Sequence, residues 1–181
     1  MRIIRAVAVV LTVLAVLSGC ERSGVSRLDY ADRAFESEIV WTLDRVRYRA
    51  VLVVGDPTES GKVRDVSLRF LEPDSLFGVK AERIDGGYYL SLGDTVFDGT
   101  DISGLFGIAE LFRTDGVILS SSIVTLGGEA TNLVKLSRGE NEEISLYISS
   151  ASGAPVRICG AVGGREICLD VLRFDRKAPR E

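Results

Sequence analysis

Histidine is absent from all 181 residues, and methionine occurs once, at Met1. The first absence removes the commonest general base and the commonest zinc ligand, so histidine triads, zinc hydrolases and zinc deaminases in their usual forms are excluded. The second leaves the chain beyond Met1 without the adaptable side chain that promiscuous apolar pockets often use. Positive charge is also in short supply: 22 Lys and Arg stand against 26 Asp and Glu, a net charge of -4 that argues against a nucleic-acid partner. Four prolines and three cysteines are scattered without a repeat or a low-complexity tract. What remains, 46% hydrophobic and 27% charged, is the composition of one ordinary globular domain.

Catalytic and metal motifs are equally sparse. Asp94, Asp98 and Asp101 lack the spacing of a twelve-residue calcium loop. Ser120, Ser121 and Ser122 have neither a nucleophile elbow nor a histidine to activate them, and read as strand or loop. Glu140, Glu142 and Glu143 lie in a polar turn, where a solvated cluster is the ordinary expectation. No catalytic residue, metal site or cofactor is predicted.

The one long apolar run is at the start. Arg2 and Arg5 precede Ala6 to Leu17, which is shorter than the roughly 20 residues of a membrane span but suits the core of an export signal. Leu17-Ser18-Gly19-Cys20 resembles the lipobox of bacterial lipoproteins. That resemblance implies acylation of the Cys20 thiol and cleavage before it, with residues 1–19 as signal peptide and 20–25 as a lipidated tether. The expected location is the outer face of the cell membrane, or the outer membrane where the cell has one. Losing Arg2 and Arg5 leaves 20 basic residues against 26 acidic ones, about -6, so the acyl chains alone would hold the protein to the lipid.

Beyond the tether, Ser26 can cap a short helix bearing Leu28, Ala31 and Phe35 on one side. From Ile39 the period changes to two. Val46, Tyr48, Ala50, Leu52 and Val54 alternate with polar or outward positions, and Val66, Leu68 and Phe70 do the same. Turn signals at Asp44-Arg45, Asp85-Gly86-Gly87, Gly93-Asp94, Gly127-Gly128 and Gly163-Gly164 cut the rest into short segments, about eleven strands in successive hairpins. Trp41 reads as a core anchor near the first turn. Ile102 to Phe112 interrupts the meander as an inserted helix, read either as a cover for one face of a curved sheet or as a lid over an apolar cavity. A polar tail is expected over 175–181.

Cys159 and Cys168 form an even pair in an exported domain. If Gly163-Gly164 is a two-residue hairpin loop, opposed residues sum to 327, which sets Cys159 against Cys168, Arg157 against Asp170 and Ile158 against Leu169. The cysteines then occupy a non-hydrogen-bonded pair with alpha carbons about 4.5 Å apart, a spacing that a disulfide can bridge. A structural disulfide is the expectation, with two reduced thiols on one sheet face as the alternative.

Taken in order, the lipobox, the short helix, the strands with Phe70-Leu71-Glu72-Pro73-Asp74-Ser75-Leu76-Phe77-Gly78, the inserted helix and the closing hairpin from Pro155 to Phe174 resemble the lipoprotein-carrier (LolA/LolB-like) superfamily. The likeness is strongest to the lipoproteins of this shape in spore-forming bacteria, and it covers 26–174. It implies a mainly β (α+β) fold: an antiparallel, unclosed half-barrel with a concave apolar face. Candidates for that face are Val66, Leu68, Phe70, Leu105, Ile108, Leu111, Ile167, Leu169 and Val171. The function expected is non-enzymatic binding of an apolar ligand, a lipid tail or a lipoprotein, in the concavity. The alternative is an interaction platform that positions or regulates an enzyme of the cell or spore envelope.

Overall fold

Alternation of apolar and polar residues, punctuated by two-residue turns, produces a sheet in which almost every strand pairs with the next in sequence. The structure is a computed structural model, and it describes residues 28–56, 64–98, 100–139 and 142–177. Six strands come first: β1 (Phe35–Leu43), β2 (Val46–Val54), β3 (Val66–Glu72), β4 (Val79–Ile84), β5 (Gly87–Leu92) and β6 (Thr95–Asp98). A crossover of 3-10 helix (Thr100–Phe106) and one α turn, α1 (Gly107–Glu110), follows. Five more strands follow among the described residues: β7 (Val117–Leu126), β8 (Glu129–Ser137), β9 (Glu143–Ser149), β10 (Pro155–Val162) and β11 (Arg165–Arg176).

All eleven strands form one antiparallel sheet in the order β6-β5-β4-β3-β2-β1-β11-β10-β9-β8-β7. β1 and β11 meet near the middle, while β6 and β7, consecutive in the chain, are the two edges. The sheet is not closed, so the half-barrel expectation holds. The crossover from β6 to β7 has to pass from one edge to the other, and its buried residues Phe106, Ile108, Ala109, Leu111 and Phe112 show that it does so across the concave face.

The register fixes which residues look inward, because directly opposed residues share a face. Phe35, Ser37, Ile39 and Trp41 of β1 line up with Val54, Leu52, Ala50 and Tyr48 of β2, and these in turn with Val66, Leu68 and Phe70 of β3. Trp41 is buried and stacks on Tyr48 with ring centroids 5.2 Å apart, as its place by the first turn suggested. On the other half Ile158 faces Leu169, and Gly160 faces Ile167.

Two sequence expectations change. Residues 30–33 form turn and bend rather than helix, and Phe35 already belongs to β1; Ser26 lies outside the described residues. One local bond closes the turn, from the Asp32 amide to the Asp29 carbonyl at 3.1 Å, and the rest of the contacts reach across the fold: Arg64 donates to the Ala31 carbonyl at 2.7 Å, and the Ala34 amide donates to Asp56 at 2.8 Å. The spacing of Ala31 and Phe35 therefore marks a packed turn and a strand start. At the other end β11 runs past Phe174, with Asp175 and Arg176 opposite Glu36 and Phe35, and the Lys177 amide bonded to the Ala34 carbonyl at 2.9 Å. Ion pairs Arg173–Glu36 and Arg176–Asp29 suit this polar end to the sheet's exposed corner.

Candidate functional site

The nine residues proposed for the concavity fall on the concave sheet face or on the crossover that packs against it, in a single apolar cluster. Val66, Leu68, Phe70, Ile108, Leu111, Ile167 and Leu169 are buried within it, and Leu105 and Val171 are half-buried against it. Their mutual contact is a packed core. The crossover seats itself closely, and two glycines permit the approach. A Cβ on Gly107 would lie 2.6 Å from Val162 Cγ1, and one on Gly160 would lie 2.8 Å from Leu111 Cδ2. Phe112 packs against Phe35 with ring centroids 5.3 Å apart, and Phe35 against Phe174 at 5.0 Å, both pairs tilted, tying the crossover to β1 and β11.

Where the crossover ends, a cleft of about 500 Å³ opens between residues 109–115, the turn at Ala31 and Asp32, and the ends of β2 and β3. Its floor is apolar, made by Phe35, Val54, Val66, Ala109 and Phe112. Its rim is charged on both signs by Arg64, Arg83, Arg113, Glu110 and Asp115. The volume is within the range of small-molecule sites.

Arg83 is the unexpected member. It takes an inward position on β4, opposite Val66, where the alternation calls for an apolar residue, and it is buried. Its charge is compensated from three sides: Nη1 donates to Glu110 Oε1 at 3.0 Å, Nε and Nη2 each donate to the Arg64 carbonyl at 3.3 Å, and the guanidinium lies 5.7 Å over the Phe106 ring. Glu110 also accepts from Arg113 at 2.9 Å. Partial burial works against the Glu110 carboxylate, but the hydrogen bonds from Arg113 and Arg83 outweigh it and hold its pKa below the ordinary value. Arg113 in turn is bound by Asp115 and Glu110, and Asp115 is likewise held low by Arg113 despite its partial burial. Arg138 donates to the Glu110 carbonyl at 2.6 Å and to that of Arg113, closing the carboxyl end of α1. Glu110 and Asp115 are thus ionised and already engaged, an arrangement suited to holding elements together rather than to proton transfer.

The closing hairpin matches its predicted register residue by residue. Cys159 faces Cys168, Arg157 faces Asp170, and Val162 faces Arg165 across the Gly163-Gly164 turn. The cysteines form a disulfide with alpha carbons 4.1 Å apart, and Arg157 donates to Asp170 at 2.6 Å. Both pairs alternate with the inward Ile158 and Leu169, so they staple the convex face. Ser120, Ser121 and Ser122 are strand residues of β7. Cys20 lies outside the described residues, as do the side chains of Asp98 and Asp101. Among the described residues no group of His, Cys, Asp and Glu could hold a metal, and no helix is long and apolar enough to cross a membrane.

Apolar surface left uncovered is concentrated at the sheet's two ends. Of twelve exposed large hydrophobic side chains among the described residues, six lie between Phe77 and Phe97 and four, Val117, Ile118, Leu119 and Ile123, lie on β7. Phe97 opposes Leu90, which opposes the buried Ala81, so it extends the concave row outward beyond the crossover. Ile123 opposes Asn132, which opposes the buried Ile148, and does the same at the other end.

No protein-family model matches the chain, and no curated protein matches it. Among solved structures, 48 chains match. An uncharacterized conserved protein from Thermus thermophilus aligns with a TM-score of 0.49 and 14% identity, over 84% of this chain and 83% of its own. In the MucA/MucB complex of Pseudomonas aeruginosa the TM-score is 0.46 with 12% identity, and the alignment takes in 85% of this chain but 56% of that one. The lipoprotein LppX of Mycobacterium tuberculosis aligns with a TM-score of 0.44 and 11% identity, over 84% of this chain and 92% of its own. Proteins described as a lipoprotein-sorting protein domain and as a LolA superfamily member are among the further matches.

Proposed function

We propose that this is an exported lipoprotein, held by acylated Cys20 to the outer face of a membrane, which works by recognising another envelope protein and makes or breaks no bond. The observation that carries this reading is the contrast between a filled interior and uncovered margins. Leu111 and Phe112 of the crossover occupy the concavity, whereas Phe97 at one margin is 53% exposed and Ile123 at the other is 60% exposed. Apolar residues continuing a core row into solvent mark a surface that another molecule covers. The resemblance of Leu17-Ser18-Gly19-Cys20 to a lipobox, after an apolar run suited to an export signal, supports a position beside a membrane, and the arginine-bound carboxylates of the cleft support a role without acid-base chemistry.

A second reading is favoured by the cleft itself. Its apolar floor of Phe35, Val54, Val66 and Phe112 under a charged rim suits one amphiphilic ligand, a lipid tail with a polar head. Entry of a larger acyl ligand into the core formed by Val66, Leu68, Phe70 and Leu169 requires the crossover to leave.

The two readings are separated by a photo-crosslinking residue at Phe97 in the full chain within its own envelope, with the same residue at Leu172 on β11 as control. The protein-recognition reading expects a discrete protein adduct from position 97 and none from 172. Adducts to lipid alone, or equal protein adducts from both positions, overturn it in favour of the amphiphile.

A further inference from the structure

β7 is an edge strand of ten residues, Val-Ile-Leu-Ser-Ser-Ser-Ile-Val-Thr-Leu, with no charged residue and no proline. Edges of folded proteins are ordinarily blunted by lysine, proline or shortness, because a bare row of N–H and C=O groups templates pairing with another chain. The opposite edge obeys the rule, since β6 has four residues and ends in Asp98. β7 carries one bulge, between Ile118 and Ser120, and beyond it a regular run from Ser120 to Leu126 pairs with β8 without a register break.

The turn decides which backbone groups of that run are free. Gly127 and Gly128 both have positive φ, at 59° and 89°, and form a two-residue loop closed by Leu126 opposite Glu129. In such a hairpin the closing pair exchanges both hydrogen bonds and the pattern alternates from there. Leu126, Val124, Ser122 and Ser120 therefore bond to β8, while Ser121, Ile123 and Thr125 turn their N–H and C=O groups outward.

From this we infer that β7 is a self-association edge, its occupant the β7 of a second copy of the same chain, paired antiparallel about Ile123. Three features single out a second copy. With the two-fold axis at Ile123, Ser121 falls opposite Thr125 and Ile123 opposite its twin, so outward groups meet outward groups and six hydrogen bonds form over the whole regular run. The exposed Ile123 side chains, which point to the concave side, then cover one another. Finally, a chain of net negative charge can approach its own copy along this edge because no charge lies between Val117 and Leu126 to face its like. A two-fold contact of this kind closes at a dimer.

A seven-residue seam lies at the small end of specific interfaces, so the dimer is weak in free solution and is favoured when copies share a membrane. To that extent the inference rests on the tethered reading. The pairing itself is read from the strand and does not depend on the partner sought at Phe97.

The test uses the full acylated chain in phosphatidylcholine vesicles. Ile123→Cys is oxidised with oxidised glutathione, and Leu172→Cys on β11, also exposed, serves as control. A covalent dimer from position 123 and none from 172 is expected. Ser121→Pro removes an outward N–H without taking a bond from β8, and Ile123→Lys sets two like charges face to face. Each should weaken association, measured by energy transfer between labelled copies, by about tenfold or more. The inference is overturned by a chain that stays monomeric at every surface density. Association unchanged by both substitutions, or a ladder of higher adducts from an open-ended β6 to β7 contact, overturns it equally. Any of these leaves the Phe97 experiment able to succeed or fail independently.

Discussion

Glu110 shows how much one exposed-looking carboxylate can carry. It compensates the buried Arg83 and the half-exposed Arg113 and so fixes α1 against β4. Its folded pKa lies below the ordinary glutamate value, because the hydrogen bonds from Arg113 and Arg83 outweigh its partial burial. The unfolded state therefore binds the proton first as pH falls, and the stabilisation is full above that value and lost as pH drops through the folded pKa. Glu110→Gln should lower stability at pH 7 by about 1 to 3 kcal/mol, since it weakens hydrogen bonds to two charged groups. It should also shrink the loss of stability on acidification, as urea midpoints at pH 7 and pH 3.5 will reveal. A gain is available at Arg45, which holds φ at 67° in the first hairpin turn. A β-carbon is disfavoured there, so Arg45→Gly should raise the urea-derived stability by about 1 kcal/mol.

Among the elements, the crossover is the decisive one, because it converts an open sheet into a packed body. Gly107 lets it approach β10, and the neighbour it meets, Val162, is stiff at χ1 and unable to swing aside. Gly107→Val should cost about 1 to 3 kcal/mol in thermal or denaturant unfolding, and Val162→Ala in the same chain should recover part of that loss. How far such features can be read from sequence depends on how local their cause is. The hairpin of β10 and β11 was fully legible, since a two-residue Gly-Gly loop fixes the parity of every pair from Val162 and Arg165 outward, cysteines included. The concave row of Val66, Leu68 and Phe70 was legible from strict alternation, although sequence does not say whether such a row lines a cavity or a core. The turn at 28–34 is not legible from spacing, because beyond one local bond its backbone is satisfied by Asp56 and Arg64, residues distant in the chain. Arg83 is hidden for the same reason: its partner Glu110 is 27 residues away, and the sign in the sequence is an arginine in the inward column of Val79 and Ala81.

At the scale of the molecule, connectivity and exposure tell one story. Placing β6 and β7 at opposite edges forces the intervening chain across the concave face, and the same placement leaves both margins of that face uncovered at Phe97 and Ile123. Self-pairing at one margin and partner recognition at the other are compatible, because the eleven-strand sheet separates them. On the function proposed above, the interior is filled by the protein's own crossover while an acylated Cys20 holds it to a membrane. Native mass spectrometry of the full chain, released gently from its membrane, tests this most directly. A polypeptide beginning at Cys20, carrying covalent acyl groups and no stoichiometric non-covalent lipid, is the expected result. An unmodified residue 20, or an acyl lipid retained one to one without a covalent bond, would contradict it.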